Sequence, residues 1–189
     1  QPCKVSDQAR QRGPGTGPFK CTVLYGAIES RTNNQEILES WGRIKLKLDK
    51  IKERNELCMI IGDFNRAVGA GRFGVEGNRP NESYGGKLVL ELLESGEYIL
   101  GNSSNKVEGG PWTWVSRADS RVKSCFDLVI ISADLAPYLK KIVIDIKQEF
   151  APARARRING KNKLIFLDHY PLIVEFENLP KGWIAKDKI

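Results

Sequence analysis

Histidine and methionine each occur once in these 189 residues, as His169 and Met59. One imidazole cannot build a multi-histidine zinc site. No apolar run approaches the ~20 residues that a membrane-spanning helix needs, so no membrane association is expected. The start carries no secretory pattern. Cys3, Cys21, Cys58 and Cys125 contain no C-x-x-C pair, which argues against a thiolate metal site or a redox motif. Cys58 and Cys125 stand in apolar strand patterns, where cysteine acts as a small hydrophobe. A reduced intracellular setting, nuclear or cytoplasmic, is therefore expected. A chain that opens on Gln1 and has its sole Met at position 59 reads as a fragment, a processed product or a partial record.

The composition that remains is that of a soluble domain. Apolar residues make up 41% and charged residues 28%, enough for one domain with a real core. The net charge of +7 favours a polyanionic partner.

The stretch that organises the chain is Cys58-Met59-Ile60-Ile61-Gly62-Asp63-Phe64-Asn65. The apolar run 57–61 reads as a buried strand. In extended chain residues i and i+2 share a face, so Asp63 and Asn65 stand side by side at the strand's mouth and Phe64 turns into the core. A lone G-D-x-N is as well explained by a strand-ending Asx turn. Around it, 19–25 reads as a strand ending in Tyr25. Residues 34–55 form a helix behind the caps Thr32, Asn33 and Asn34, with Ile37, Trp41, Ile44, Leu48 and Ile51 as its apolar stripe. A long loop spans 66–86, and a second helix 86–95 stops at Gly96.

Further strands are expected at 98–100, at 112–115 with both Trp on one face, at 126–132, at 142–146 and at 172–176. A short helix over 133–141 is interrupted by Pro137. Along 142–146, alternation puts Ile142, Ile144 and Ile146 on one face and Asp145 on the other. Residues 147–163 read as a basic loop holding Arg154, Arg156 and Arg157. A lead-in at 1–18, one domain over 19–178 and a tail from 179 complete the division.

Four strand ends then carry polar groups: Tyr25, Asp63 with Asn65, Asp127, and Asp168 with His169. A carboxylate such as Asp127, just ahead of an apolar strand, needs a partner or a cation. Arg117 or Lys123 is the simplest partner. Adjacent residues of extended chain face opposite ways, so Asp168 and His169 reach one site only if the turn forced by Pro171 brings them there.

In this order and spacing, the Tyr25 strand, G-D-x-N, W-T-W, S-x-x-D and the closing D-H resemble the second half of the endonuclease/exonuclease/phosphatase superfamily. The helix leading into I-I-G-D-F-N is most similar to the endonuclease domain of non-LTR retrotransposons, whose polyproteins carry a reverse transcriptase. The resemblance implies an α/β, DNase I-like β-sandwich flanked by helices and lacking much of its N-terminal half. It implies Mg²⁺-dependent phosphodiester hydrolysis, with Mn²⁺ as the alternative ion, on DNA, with RNA as the alternative substrate. In that scheme His169 contacts the scissile phosphate, and Asp168 orients it and serves as a metal ligand. Asp63 handles the attacking water, Asn65 holds a phosphate oxygen, Tyr25 steadies the phosphate or leaving group, and Asp127 belongs to the surrounding shell. Arg117, Arg121, Lys123, Arg154, Arg156 and Arg157 meet flanking phosphates.

Two departures accompany the resemblance. The family's strand-borne Asn and metal-holding Glu have no counterpart here, and Leu167 stands where a Ser is usual. Weak or absent activity of this chain alone, an uncovered sheet face and a tendency to aggregate are therefore expected. The alternatives are a nucleic-acid-binding remnant without chemistry, or a phosphatase or phosphodiesterase of the same fold with another substrate.

Overall fold

The computed structural model describes residues 19–25, 33–69, 81–149, 154–158, 161–165 and 168–180, with 19, 24–25, 154–158 and 161–165 as backbone only. The lead-in 1–18, most of the loop 66–86 and the tail beyond 180 lie outside the described residues.

Two helices lie on one face of a four-stranded sheet. α1 (Asn34–Glu53) starts because the Asn33 side chain accepts a hydrogen bond from the Glu36 backbone N–H at 2.9 Å. It buries Ile37, Trp41 and Leu48 and leaves its Lys and Arg residues outward. α2 (Tyr84–Glu94) starts two residues before the expected position, because Ser83 caps it by accepting from the Gly86 N–H. Gly42 sits exposed in the middle of α1, and a Cβ there would meet nothing within 4 Å. Gly42→Ala should therefore stabilise the fold by about 0.5–1 kcal/mol, since only the backbone-entropy penalty of glycine changes. Urea unfolding at a constant m-value checks this.

The sheet contains β1 (Phe19–Tyr25), β2 (Leu57–Asp63), β3 (Tyr98–Leu100) and β7 (Asp127–Ser132), in the order β1-β2-β7-β3. β1 runs parallel to β2, while β7 is antiparallel to both β2 and β3. Its two faces divide by alternation. Cys58, Ile60, Leu128 and Ile130 pack with Trp41, Leu48, Leu90 and Leu93 of the helices. Leu57, Met59, Val129 and Ile131 pack with Leu135, Leu139 and Ile142. Leu139 and Ile142 belong to a second layer, a three-stranded sheet ordered β11-β8-β4 from β4 (Val107–Glu108), β8 (Leu139–Ile144) and β11 (Leu172–Phe176), and Leu135 to the turn that leads into it. β2 and β7 are thus buried on both faces, which is why their sequences read as continuous apolar runs. On the edge strand β1, Val23 is 79% exposed and Cys21 is exposed as well.

Four expectations are corrected. The stretch around Pro137 is a 3-10 turn, Ala133–Tyr138, so the strand begins at Leu139 and ends at Ile144. Beyond it the chain turns. Ile146 is 45% exposed, while Asp145 is buried and its N–H donates to the Pro171 carbonyl at 2.9 Å. The basic loop contains a hairpin, β9 (Arg154–Ile158) against β10 (Lys161–Ile165). Of the W-T-W run only Trp114–Val115 forms a strand, β5, paired with β6 (Lys123–Ser124).

Candidate functional site

The end of β2 delivers the first two side chains. Gly62 adopts φ 141° and Asn65 φ 50°, so the chain does not continue extended through Asn65. Instead Asp63 Oδ1 accepts from the Asn65 backbone N–H at 2.8 Å, and Asn65 Nδ2 donates to Asp63 Oδ2 at 2.9 Å. The Asx turn and the side-by-side placement are one and the same structure. Phe64 between them is 1% exposed, and its N–H donates to the Phe126 carbonyl.

The antiparallel register of β2 and β7 sets Asp127 directly opposite Asp63, and the parallel register of β1 sets Tyr25 beside Asp63 on the other side. The Tyr25 side chain lies outside the described residues. His169 arrives from a different segment. It bridges Trp114 in antiparallel fashion, with the Tyr170 N–H donating to the Thr113 carbonyl at 2.7 Å and the Val115 N–H to the Asp168 carbonyl at 2.8 Å. Because this segment is strand-like, its side chains alternate. His169 turns toward Asp127 and Asp63, and Asp168 toward Arg117.

His169 Nδ1 lies 2.9 Å from Asp127 Oδ2, and its Nε2 lies 3.8 Å from Asp63 Oδ2. The carboxylate that holds His169 is therefore Asp127, where the resemblance had implied Asp168. Asp168 Oδ1 instead accepts from Arg117 Nη2 at 2.8 Å, in an ion pair whose Arg117 side chain is 64% exposed. Arg117 is thus the partner of Asp168, not of Asp127. Arg121 pairs with Asp119 at 3.0 Å, and Lys123 Nζ stands 5.7 Å from the Trp112 ring centroid. Arg154, Arg156 and Arg157 are placed in β9 by their backbone alone; their side chains lie outside the described residues.

Burial shifts the proton affinities. It pushes the Asp63 carboxyl up, and the charge of Asp127 adds to this; the hydrogen bonds from Asn65 and the charge of His169 pull only partly the other way. Burial alone would lower His169. The hydrogen bond and charge of Asp127, with the charges of Asp63 and Asp168, outweigh it and hold the imidazole above its ordinary value. In the protonated ring both nitrogens carry donors for the two carboxylates; in the neutral Nδ1–H ring the Nε2 lone pair faces Asp63.

Ligand atoms of Asp63, Asp127 and His169 lie within 4.8 Å of one another. The two largely buried carboxylates suit Mg²⁺ or Mn²⁺; the ring would join them only as neutral imidazole through Nε2, a nitrogen ligand that favours Mn²⁺, and when protonated it leaves the cation to the carboxylates. Asp168, the ligand implied by the resemblance, is outside this group and turned to Arg117.

Two residues escaped the sequence reading. Thr113 is fully buried, and its Oγ1 accepts from the backbone N–H groups of both Phe126 and Asp127, at 3.0 and 2.9 Å. Asn102 contacts the Asp127 carbonyl from the other side at 3.1 Å. The only sequence signal for Thr113 was a small polar residue between two tryptophans; Asn102 had none.

No protein-family model and no curated protein matches the chain. Among solved structures it is similar to a 3'-5' exonuclease (NExo) from Neisseria meningitidis, with a TM-score of 0.58 and 16% identity, over 82% of this chain and 60% of that one. It is likewise similar to a structure of 3' phosphatase NExo from Neisseria bound to product DNA hairpin, at TM-score 0.57 and 16% identity, over 86% and 62%. The chain thus spans about three fifths of the length of these proteins and shares their α/β fold.

Proposed function

We propose that this chain carries the reaction face of a divalent-metal-assisted phosphoester hydrolase acting on nucleic acid, DNA in the first place. The single observation that supports this most is the convergence of His169 on Asp127 and Asp63, from segments far apart in sequence. The fold shared with NExo, an exonuclease and 3' phosphatase seen bound to a product DNA hairpin, and the net charge of +7 agree with it.

In this reading the His169 imidazolium, fixed through Nδ1 by Asp127, presents its other N–H to a phosphate oxygen and offsets charge as it develops on phosphorus. Asp63, whose raised proton affinity brings it closer to the working pH, accepts the proton of the attacking water. Asn65 orients the Asp63 carboxylate through its amide and holds a phosphate oxygen, while Tyr25, whose backbone pairs beside Asp63, is assigned the steadying of the phosphate or leaving group. A bound divalent cation supplies neutralisation of the phosphate charge. Arg117, Arg121, Lys123 and the arginines of β9 meet flanking phosphates. The more specific reading, a retrotransposon-type endonuclease associated with a reverse transcriptase, rests on the G-D-F-N stretch behind a basic amphipathic helix.

The test is a plasmid-nicking assay with Mg²⁺ and separately Mn²⁺, run beside DNA affinity against salt. Slow nicking that a chelator stops is expected, with affinity falling steeply as salt rises. Tight, salt-sensitive binding with no cutting at any metal concentration would instead make the chain a binding remnant.

A further inference from the structure

Asp127 is the group that decides where His169 stands, so what holds Asp127 matters to the proposed reaction. β3 pairs with β7 only at Tyr98↔Ser132, Ile99↔Ile131 and Leu100↔Ile130. It then leaves the sheet in a 3-10 turn, Gly101–Ser103. The turn packs so closely that a Cβ on Gly101 would come 2.6 Å from Ile142 Cδ1. The departure strips the start of β7 of its backbone partner on that edge. The Asn102 carboxamide fills the gap: Oδ1 accepts from the Val129 N–H at 2.7 Å, and Nδ2 donates to the Asp127 carbonyl at 3.1 Å. One side-chain amide thereby replaces a peptide of the missing strand, offering one acceptor and one donor. On the other side of the residue, the Asp127 N–H is held by Thr113 Oγ1. Both ends of Asp127's own backbone are therefore gripped by side chains from elsewhere in the chain, and its carboxylate is presented to His169 from a fixed base.

We infer that Asn102 is a positioning residue for His169, acting through Asp127. This rests on the hydrolase reading for its purpose but not for its test. Losing the carboxamide leaves the buried Val129 N–H without its acceptor and the Asp127 carbonyl with only the weak Cys125 thiol donor, so the backbone must move to recover a full hydrogen bond. The Asp127 carboxylate then shifts from the imidazole, and His169 loses the acceptor that selects its Nδ1–H form.

The experiment uses His169 as a probe, since it is the chain's only histidine. Nitrogen-15 NMR of the ring, above its titration, reads the share of the Nδ1–H tautomer in the unaltered chain, Asn102→Ala, the milder Asn102→Ser, and Ile130→Val. The last deletes a methylene from the same strand on the helix-facing side. A dominant Nδ1–H form is expected in the unaltered chain and in Ile130→Val, falling at least about twofold in the folded Asn102 variants. An unchanged tautomer in a folded Asn102 variant overturns the inference. So does an equal change in Ile130→Val, or failure of both Asn102 variants to fold, since Asn102 would then be a residue of general stability. No substrate enters the measurement, so this result and the nicking assay fail independently.

Discussion

His169→Ala should lower whatever phosphodiester cleavage the chain performs by about 10²–10⁴-fold, the usual share of a positioned acid or charge stabiliser, while leaving the fold intact. His169 is about one-third exposed and contributes no apolar core, so its loss removes chemistry rather than packing. The pH behaviour gives the prediction a second handle. His169 is held above its ordinary value, so its charged form persists above about pH 6.5 in the folded chain. Cleavage that needs the imidazolium should fall as pH rises through that raised value. The Asp63 carboxyl is also raised, so the ascending limb, where Asp63 ionises, should lie above the ordinary carboxylate range. The stability sign is the same for both groups. Each binds its proton more tightly folded than unfolded, so each contributes most below its unfolded value and loses that contribution as pH rises through its folded one. Thermal unfolding against pH should show the unaltered chain's advantage over His169→Ala shrinking upward from about pH 6.5. A variant with the parent's rate at every pH would remove His169 from the chemistry.

Gly86→Ala should destabilise the fold by about 3 kcal/mol or more, a drop of roughly 6–12 °C in Tm for a chain of this size. Gly86 lies in the first turn of α2, where a Cβ would stand 1.9 Å from the Ala67 carbonyl oxygen and 2.7 Å from its carbon. These are backbone atoms and cannot rotate away. The Ala67 carbonyl also accepts from the Ser83 N–H, and the Ala67 N–H donates to Ser83 Oγ, so the contact cannot open without breaking the cap of α2. Ala67 is two residues beyond Asn65, and the same displacement should loosen the Asp63–Asn65 turn and lower activity in the material that folds. Gly42→Ala, the same chemical change in an open position, should carry the opposite sign. Differential scanning calorimetry of the pair measures both. A Gly86→Ala chain within 1 °C of its parent would mean that α2 does not seat on Ala67.

Local chemistry was enough to locate the elements that bury apolar surface. The stripe Ile37–Ile51 reads as one face of a helix and the runs ending at Asp63 and Ser132 as buried strands, and the structure adds that both faces of those strands are covered. Their ends named Asp63, Asn65, Asp127 and His169, because a polar group at the mouth of an apolar strand needs a reason to be there. Pro137 and the Asp145 turn were misjudged for a related cause: the 3-10 turn and the strand that follows are set by what lies beneath them, not by their own propensities.

Partner choice was invisible in one dimension. That Asp127 rather than Asp168 holds His169 follows from the bridge between His169 and Trp114, which fixes the alternation of a segment whose histidine is 42 residues from its acceptor. That Thr113 and Asn102 grip Asp127 follows from where β3 leaves the sheet. Hydrophobic periodicity is a property of neighbours along the chain and survives in the sequence. The pairing of a carboxylate with a ring nitrogen is a property of neighbours in space, and only the packed sheets bring those atoms within 3 Å.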